Sequence, residues 1–476
     1  MRRLTSILLL LLACIWHTAA QDRGKREFRG AWLHTVYQEQ YARQSTAENK
    51  AYLCEQLDKL KAAGVNAVLF QVRPSADAFY ASELEPWSRF LTGTAGKAPE
   101  PAWDPLEFIV AEAHKRGMEL HAWMNPYRVT TSKNERLPRG HLALREPERF
   151  VNYADGKKYF QPGLPENREF IARVTGDIVR RYDVDAIHFD DYFYPYPVAG
   201  ADFPDKELWS RTGGKLSRAD WRRLNVDLLI EQVSDTIRAI KPWVRFGISP
   251  FGIWRNKKSD PRGSDTNGLE NYDSLYADVL LWAEKGWIDY LLPQLYWTMD
   301  NKAAAYRVLV PWWNEMTPEG CHLYIGQDVE RTMNAGELDP KLELMRQGER
   351  VRGLCWWPGY SVTKNSGGVH EVLCSERLHG RPALVPEYER LSDKAPERPR
   401  EVRRDGKFLR WNTQRPKGRA EDAVRFAVYR SGEESSGPLV LTGEHYCELP
   451  GPGKYFVTSV SRTNIESGAS ETVLIK

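Results

Sequence analysis

The fold is decided by the stretch D-V-D-A-I-H-F-D-D-Y-F-Y-P, residues 183–195. Its first part, residues 184–189, is short, largely apolar and free of Gly and Pro, which is typical of a buried strand in a parallel sheet. Two adjacent carboxylates, Asp190 and Asp191, and a cluster of aromatic rings follow at once. Reactive side chains of (β/α)₈ barrels lie at the C-terminal ends of their parallel strands. The stretch therefore predicts such a strand with a functional carboxylate at its end.

Seven further strand candidates extend this pattern, and helical segments separate most of them. The helix predicted over 47–63 stops at Gly64, the helix over 104–116 begins with an Asp-Pro cap, and two more cover 217–240 and 273–285. Strands that alternate with helices pair in parallel, so eight such units predict an α/β fold with a closed (β/α)₈ TIM barrel. A doubly wound open sheet is the alternative, but no Gly-rich phosphate turn follows the first strand. The predicted strands cover 28–35, 65–72, 118–124, 184–190, 244–249, 288–296, 322–326 and 352–357.

The pattern changes after the barrel, which we place at 27–385. Residues 386–400 are charged and contain prolines, which predicts a linker. Helical signals then end, and short strand candidates separated by turn residues predict a small all-β sandwich over 401–476. The segment Y-F-V-T-S-V-S-R-T-N-I-E-S, residues 455–467, resembles the end of a fibronectin type III module. The strand candidates of this module are 407–411, 425–429, 439–442, 454–461 and 471–475.

The first 20 residues form a targeting signal. Arg2 and Arg3 precede an apolar run that is too short to span a bilayer, and small residues precede a cleavage site before Gln21. The run L-L-A-C, residues 11–14, offers the alternative of a lipoprotein signal in which Cys14 carries a lipid anchor. Either signal predicts an exported protein that lies in the periplasm or at the outer membrane.

Composition excludes some classes of partner. The chain has 67 basic and 64 acidic residues, so nothing in its charge indicates nucleic-acid binding, although a Lys/Arg-rich surface could still contact anionic envelope polymers. Its 17 Trp and 22 Tyr either fill a large core or line a groove for flat, partly apolar ligands such as sugar rings. His188, Asp190 and Asp191 could instead ligate a metal, as in a polysaccharide deacetylase, but no Cys or His pair has metal-site spacing. We expect no nucleic-acid partner, no metal and no cofactor.

Polar and aromatic residues recur at the same end of nearly every predicted strand. Because side chains alternate along a strand, His188 and Asp190 share a face with small or polar neighbours, whereas Phe189 lies on the apolar face. Asp190 is therefore expected to point into the barrel mouth, with His188 one layer below it. The candidate substrate-binding residues at the strand ends are Arg73, Asn125, Tyr127, Arg128, His188, Tyr192, Gln294, Tyr296, Trp297, Gln327, Trp356 and Trp357.

Carboxylates beside aromatic rings are what the cleavage of a glycosidic bond requires. We expect Asp190 to act as the nucleophile or to stabilise an oxocarbenium-like transition state. Asp191 lies where the strand ends and turns inward as an acid or a positioning group, or else it forms a cap or a salt bridge to Arg73 or Arg128. An acetamido group of the substrate could replace a protein nucleophile. The predicted catalytic set is Asp190, Asp191 and Asp300, and the general acid stays open among Asp191, Asp300, Asp328 and, more weakly, Asp77.

Seven motifs lie on or beside the predicted strands: F-R-G-A-W (28–32), F-Q-V-R-P (70–74), H-A-W-M-N-P-Y-R (121–128), H-F-D-D-Y-F-Y-P (188–195), I-S-P-F-G-I-W-R (248–255), G-W-I-D-Y-L-L-P-Q-L-Y-W (286–297) and G-L-C-W-W (353–357). Over roughly residues 27–380 they resemble the bacterial glycosyl-hydrolase-like family 10, a (β/α)₈ group that includes divisome-localised glycosyl hydrolases. The segment that ends at Asp190 is also similar to the fourth strand of other barrel glycosidases, where the final Asp is catalytic. Chitinase-like barrels carry a Glu acid two places later, where this chain has Tyr192, so their mechanism does not carry over.

The resemblance implies hydrolysis of a β-linked glycan that contains amino sugars. The expected substrate is the glycan strand of peptidoglycan without its stem peptides, and the expected chemistry is carboxylate acid–base catalysis at the barrel mouth. The alternative is a non-catalytic envelope protein that binds glycan in the same aromatic cleft. A purely structural envelope protein would leave the polar strand ends without a purpose. We expect the C-terminal module to act as a spacer or to contact envelope proteins.

Overall fold

Eight parallel strands close into a barrel in the computed structural model, which describes residues 25–375 and 378–476. Each strand pairs with its neighbours in the sequence and the eighth pairs with the first, so the predicted (β/α)₈ TIM barrel is confirmed. The predicted targeting segment, with Cys14, lies outside the described residues. The strands are β1 (Phe28–Leu33), β2 (Ala67–Arg73), β3 (Glu119–Met124), β4 (Ala186–Phe189), β5 (Arg245–Ile248), β6 (Tyr290–Leu291), β7 (His322–Asp328) and β8 (Val351–Trp357).

The main helices around the barrel are α1 (Thr46–Ala62), α2 (Pro105–Lys115), α3 (Pro165–Arg181), α4 (Arg218–Ile240), α5 (Val279–Glu284), α6 (Tyr306–Met316), α7 (Leu338–Gln347) and α8 (Val369–Leu373). Local sequence sets their starts. Before α1, the Ser45 hydroxyl accepts the Glu48 N–H and the Glu48 carboxylate accepts the Ser45 N–H, which makes a capping box. Before α2, the Asp104 carboxylate accepts the N–H groups of Leu106 and Glu107. Among the described helices, none has the length and apolar content that crossing a membrane requires.

Two predicted elements are shorter than the sequence patterns indicated. The helix predicted over 273–285 is interrupted, because the π-helical turn Asn271–Leu275 ends at Tyr276, whose φ of 54° is left-handed. The strand predicted over 288–296 pairs only within β6, since Pro293 has no N–H group to donate to a ladder. Beyond this proline the chain makes only single bridges to its neighbours.

Long segments leave the C-terminal ends of β2 to β5 and gather at one mouth of the barrel. The segment after β3 carries a two-stranded hairpin, Phe150–Asn152 with Lys158–Phe160. Short helices complete these and the other connections: Gln40–Arg43, Arg89–Thr92, Leu142–Arg145, Lys206–Thr212, Val329–Asn334 and Gly359–Thr363.

Alternate side chains of the strands fill the barrel interior. Phe28, Trp32, Tyr290 and Tyr324 are buried there, and Phe28 stacks on Tyr324 with ring centroids 4.0 Å apart. Tyr290 lies across the barrel only because the neighbouring strand has Gly247, where a Cβ would approach its ring to 2.0 Å. The interior is therefore a packed core and not a channel.

The C-terminal module consists of two antiparallel sheets with the strands β9 (Arg400–Asp405), β10 (Phe408–Asn412), β11 (Arg425–Arg430), β12 (Val440–Thr442), β13 (Tyr446–Glu448), β14 (Gly453–Val460) and β15 (Val473–Ile475). The order is β9-β10-β13 in one sheet and β12-β11-β14-β15 in the other. Both sheets contribute to one core that includes Trp411, Phe426 and Tyr455. Five of these strands overlap the predicted ones, while β9 and β13 were not predicted.

The module packs against the N-terminal end of the barrel. Arg425 donates hydrogen bonds to Glu119 (3.2 Å) and Asp185 (2.9 Å), and Asn464 donates to Glu119 (2.9 Å). Tyr388, inside the segment predicted as a linker, is buried among the side chains that fill the barrel. The start of the predicted linker is thus packed against the barrel. The C-terminal module covers the N-terminal end of the barrel, which we call the barrel floor.

Candidate active site

Asp190 follows β4 directly and points into the barrel mouth. Its Oδ2 accepts hydrogen bonds from Trp123 Nε1 (3.2 Å) and Asn125 Nδ2, and its Oδ1 accepts the Tyr192 N–H (3.3 Å). Burial raises the pKa of Asp190 to about 7, and the charge of Asp191 adds to the rise, while the hydrogen bonds oppose it. A carboxyl group with this pKa exchanges its proton readily near neutral pH, which suits acid–base work.

Asp191 is the second buried carboxyl group of the mouth. The Tyr196 hydroxyl donates to its Oδ2. Burial raises the pKa of Asp191, and hydrogen bonds from Tyr196 and Gln294 oppose the rise. Two buried carboxyl groups at adjacent positions resist carrying two charges, so Asp190 and Asp191 titrate as a pair that retains a proton to higher pH than isolated carboxyl groups.

A chain of amides holds Asp190 in place. Gln71 on β2 donates from Nε2 to Asn125 Oδ1 (2.8 Å), and Asn125 in turn donates to Asp190. The Oε1 of Gln71 accepts the N–H groups of Thr35 and Val36 (3.0 Å each) in the loop after β1. The ends of four neighbouring strands are therefore linked by hydrogen bonds that set the position of one carboxylate.

Arg128 supplies positive charge beside the pair. Its Nε donates to the Pro74 carbonyl oxygen (2.8 Å), and its guanidinium lies 5.1 Å from the centre of the Tyr192 ring. Its charge lowers the pKa of both Asp190 and Asp191 and so partly offsets their burial. Arg128 is the cation that favours the ionised state of the pair.

His188 lies one layer below Asp190 and is neutral. Trp32 Nε1 donates to His188 Nε2 (3.2 Å), and the Ser249 hydroxyl lies 2.9 Å from the same nitrogen. Since Nε2 accepts, Nδ1 carries the proton and donates it to the Tyr290 hydroxyl (3.0 Å). Burial holds the pKa of His188 well below its ordinary value, and His121 lowers it further.

Aromatic rings form one wall of the mouth. Trp32 meets the edges of Trp357 and Tyr296, each with ring centroids 6.4 Å apart, and Trp123 lies 6.0 Å from Trp357. Trp357, Tyr296 and Trp297 are partly exposed. Flat, partly exposed rings beside buried carboxyl groups present apolar surface to a sugar ring while polar groups contact its hydroxyls. Across the described ranges, no group of three or more His, Cys, Asp or Glu side chains is arranged to hold a metal ion.

The sequence model of the family described as glycosyl hydrolase-like 10 matches residues 27–343 of the chain. The protein belongs to the glycosyl hydrolase-like 10 family. Over 95% of its length it is 38% identical to "Glycosyl hydrolase YngK" of Bacillus subtilis (strain 168), of which it covers 94%. Over 68% of its length it is also 38% identical to "Glycosyl hydrolase DigH" of Escherichia coli (strain K12), of which it covers 77%.

Solved structures that resemble this glycosyl hydrolase-like 10 protein are distant in sequence. The glycoside hydrolase domain of PgaB (BpsB) from Bordetella bronchiseptica matches with a TM-score of 0.48 and 11% identity, over 73% of this chain and 99% of that domain. The catalytic domain of β-amylase from Paenibacillus polymyxa matches with a TM-score of 0.48 and 11% identity, over 74% of this chain and 98% of that domain.

Two predicted substrate-binding residues of this glycosyl hydrolase-like 10 barrel lie beneath its loops and not at the mouth surface. Arg73 is fully buried, and its guanidinium donates two hydrogen bonds to Glu85 (2.5 and 2.6 Å) and others to the Asn125 and Pro126 carbonyl oxygens. Tyr127 is fully buried in the main apolar core. Arg73 therefore ties the loops after β2 and β3 together, and Tyr127 packs under them.

Gln327 and Trp356 point outward from the barrel. Gln327 donates to the Tyr306 hydroxyl of α6 (2.5 Å), and Trp356 is fully buried in the core between strands and helices. Their neighbour Trp357 takes the inner face because adjacent strand residues point to opposite sides. The remaining predicted substrate-binding residues lie in or around the mouth: Asn125, Arg128, His188, Tyr192, Gln294, Tyr296, Trp297 and Trp357.

The other acid candidates differ in position. Asp300 has a side chain that is 64% exposed and pairs with Arg307, so it lies outside the buried pair. Asp328 accepts the Arg331 N–H (2.8 Å) and caps a short helix. Asp77 accepts the Ser75 N–H (3.0 Å) inside the loop after β2, where burial raises its pKa to about 7. Among the predicted catalytic residues, only Asp190 and Asp191 are brought together.

Sequence reasoning missed three residues that support the pair: Trp32, Gln71 and Tyr196. Trp32 and Gln71 stand at inward positions near the ends of the first two strands, so the alternation of faces could have found them. Tyr196 belongs to a loop, and no periodic signal places its hydroxyl on Asp191.

Proposed function

We propose that the protein hydrolyses glycosidic bonds in a polysaccharide that contains amino sugars. The observation that carries this proposal is the buried pair Asp190 and Asp191 beside a partly exposed aromatic wall. Membership of a glycosyl hydrolase-like family, and relatives named as glycosyl hydrolases, support the same reaction class. Buried carboxyl groups with raised pKa values that lie together at the mouth of a barrel, beside aromatic rings, mark a candidate catalytic site.

The pair can supply both roles that the reaction needs. A protonated carboxyl group of the pair donates its proton to the glycosidic oxygen, the C–O bond breaks, and positive charge develops on the sugar. The ionised partner stabilises this charge, and water then adds to the anomeric carbon as the acid recovers its proton. Asn125 and Trp123 fix the carboxylate of Asp190 before the substrate arrives, so little reorganisation is required at the moment of reaction.

The proposed substrate is the glycan strand of peptidoglycan without its stem peptides, and the proposed location is the periplasm or the outer membrane. The predicted export signal and the motif resemblance support both. We also propose that Cys14 is the site of a lipid anchor if the lipoprotein signal is used.

We propose that the C-terminal module is fibronectin type III-like and contacts other envelope proteins. The three-plus-four strand arrangement supports the sandwich. So does Tyr455 at the start of β14, whose hydroxyl donates back to the Gly451 carbonyl oxygen (3.0 Å), because a tyrosine at this corner is common in such sandwiches.

The test is product analysis on defined glycan. Purified protein is incubated with peptide-free and peptide-bearing peptidoglycan strands, and products are separated by mass. We expect shortened strands from the wild type and a loss of at least about 10³-fold in rate from Asp190→Asn and from Asp191→Asn. Asp300→Asn is the control and should retain activity, since its side chain is exposed and paired with Arg307. Binding without cleavage by the wild type would instead favour the glycan-binding alternative.

A further inference from the structure

Tyr37 occupies a backbone position that does not suit a tyrosine. The Gln38 N–H donates to the Thr35 carbonyl oxygen (3.1 Å), which closes a turn with Tyr37 as its third residue. The φ of Tyr37 is 61°, a left-handed conformation that glycine adopts freely and that costs a side chain with a Cβ free energy. A strained residue of this kind persists only where the surroundings impose it, and such residues cluster at ligand sites.

Burial does not explain Tyr37, because the residue is 61% exposed. Its ring is nevertheless held in place. The hydroxyl donates to the Thr131 carbonyl oxygen (3.1 Å) in the loop after β3, and the ring lies edge-on to Phe90, in the loop after β2, at 5.7 Å between centroids. Three loops of the mouth therefore fix one exposed aromatic face.

The turn of Tyr37 is tied to the carboxyl pair. Gln71 Oε1 accepts the N–H groups of the two residues before Tyr37, while Gln71 Nε2 holds Asn125, which donates to Asp190. The exposed ring thus stands at the rim of the mouth in a fixed relation to the reacting groups.

A groove lies beside the residues that hold this ring, since it is lined by Arg89, the chain neighbour of Phe90, and by Ser132, the chain neighbour of Thr131. Its volume is about 520 Å³, within the range of small-molecule sites. Thr131, which accepts the Tyr37 hydroxyl proton, also accepts a hydrogen bond from Arg89 Nη2 (3.0 Å) at the groove wall. The groove is lined by Arg89, Thr94, Ser132, Glu135, Arg136 and Leu137, so hydroxyl-rich sugars would meet donors and acceptors there.

From these observations the geometry points to a distal glycan site in which a sugar ring stacks on Tyr37 and the chain continues into the groove. The inference rests on the proposed function and adds to it a preference for long strands. A sugar that binds at this site strengthens substrate binding but takes no part in bond cleavage. Long strands can reach the site and short oligomers cannot, so long strands bind more tightly.

The experiment compares long glycan strands with the shortest oligomer that the wild type cleaves, using Tyr37→Phe and Tyr37→Gly in the full-length protein. We expect Tyr37→Gly to reduce the advantage of long strands in kcat/KM about tenfold, mainly through KM. Its melting temperature should change little, because relief of the strained φ offsets the loss of the Thr131 hydrogen bond and the Phe90 contact. Tyr37→Phe should keep most of the long-strand advantage. Tyr446→Ala, at an exposed tyrosine of the C-terminal module, is the matched control.

Two results would overturn the inference. One is an unchanged preference for long strands in Tyr37→Gly. The other is a fall in melting temperature that accounts for the lost activity, which would make Tyr37 structural. If the wild type releases no product, the proposed function fails separately, and the inference is decided by binding of long strands, which Tyr37→Gly should weaken about tenfold.

Discussion

Asp190 shows how the fold sets the state of one side chain. Three hydrogen bonds and the Arg128 charge favour its carboxylate form, while burial and the neighbouring Asp191 favour the protonated form. Burial dominates, because the pKa rises from an ordinary value of 3.8 to about 7. A rise of this size corresponds to roughly 4 kcal/mol of unfavourable interaction in the ionised state. Ionisation of Asp190 therefore lowers the stability of the folded protein at the site where we propose the chemistry.

We expect Asp190→Asn to be more stable than the wild type at pH 8, by about 2 kcal/mol. Between pH 3.8 and about 7 the folded state holds a proton that the unfolded chain has lost, so wild-type stability falls as pH rises through that window. Asparagine carries no charge, so the stability of the variant does not fall over this pH range. Its amide NH2 group cannot accept hydrogen bonds from the donors around Asp190, which reduces the gain in stability. Urea unfolding at pH 5 and pH 8 measures the difference, which should shrink at pH 5.

Asp300→Asn is the control for this prediction. Its exposed ion pair with Arg307 should contribute less than about 1 kcal/mol at either pH. Equal stability of Asp190→Asn and the wild type at pH 8 would mean that Asp190 is ionised there without cost.

At the scale of elements, Gln71 joins the ends of β1, β2, β3 and β4. We expect Gln71→Met to lower kcat/KM about tenfold or more, because Asn125 and the loop after β1 lose the group that positions them. The buried donors and acceptors left without a partner should also destabilise the fold by about 2 kcal/mol. Steady-state kinetics and urea unfolding of the same preparation measure both effects.

Gln327→Met offers a matched comparison, since Gln327 is a buried glutamine of β7 that points away from the mouth. It should lose about 1 kcal/mol of stability and keep its activity. Equal loss of activity in both variants would show that Gln71 acts through stability alone.

How far the sequence predicts each element depends on how local its signal is. Caps and glycine stops placed α1, α2 and α4 to within a few residues, because their determinants lie inside the helix ends. Strand alternation placed Asp190 in the mouth. The same rule places Trp356 and Trp357 on opposite faces of β8, whereas the sequence interpretation assigned both residues to substrate binding. Asp300 and Tyr196 could not be placed, because loop geometry depends on contacts between distant segments.

At the scale of the molecule, a hydrogen-bond chain runs along the barrel axis from mouth to floor. The Tyr290 hydroxyl accepts from His188 and donates to His121 Nδ1 (2.9 Å), and His121 Nε2 donates to Glu119 (3.0 Å). Glu119 then meets Arg245 of the barrel and Arg425 of the C-terminal module. These charges are almost fully buried. The module therefore neutralises the barrel floor and supports the layers beneath the carboxyl pair.

Removing one charged side chain of this buried cluster should lower the free energy of unfolding more than removing a surface charge. We expect Arg425→Met to destabilise the whole protein by about 3 kcal/mol, because Glu119 and Asp185 lose a cation while staying buried. Arg403→Met, in the same module, removes an arginine whose side chain is 55% exposed and should change stability by less than about 0.5 kcal/mol.

The double variant Arg425→Met/Glu119→Gln separates the effect of the lost charge from the effect of the lost packing. It should recover part of the stability lost in Arg425→Met, since the buried cluster then keeps one carboxylate, Asp185, for one arginine, Arg245, and is again neutral. All variants are measured by urea unfolding followed through tryptophan fluorescence. A single transition should shift as a unit if barrel and module unfold together. If instead Arg425→Met lowers only a minor transition and leaves the main one in place, then the module is an independent appendage and the barrel floor is stable without it.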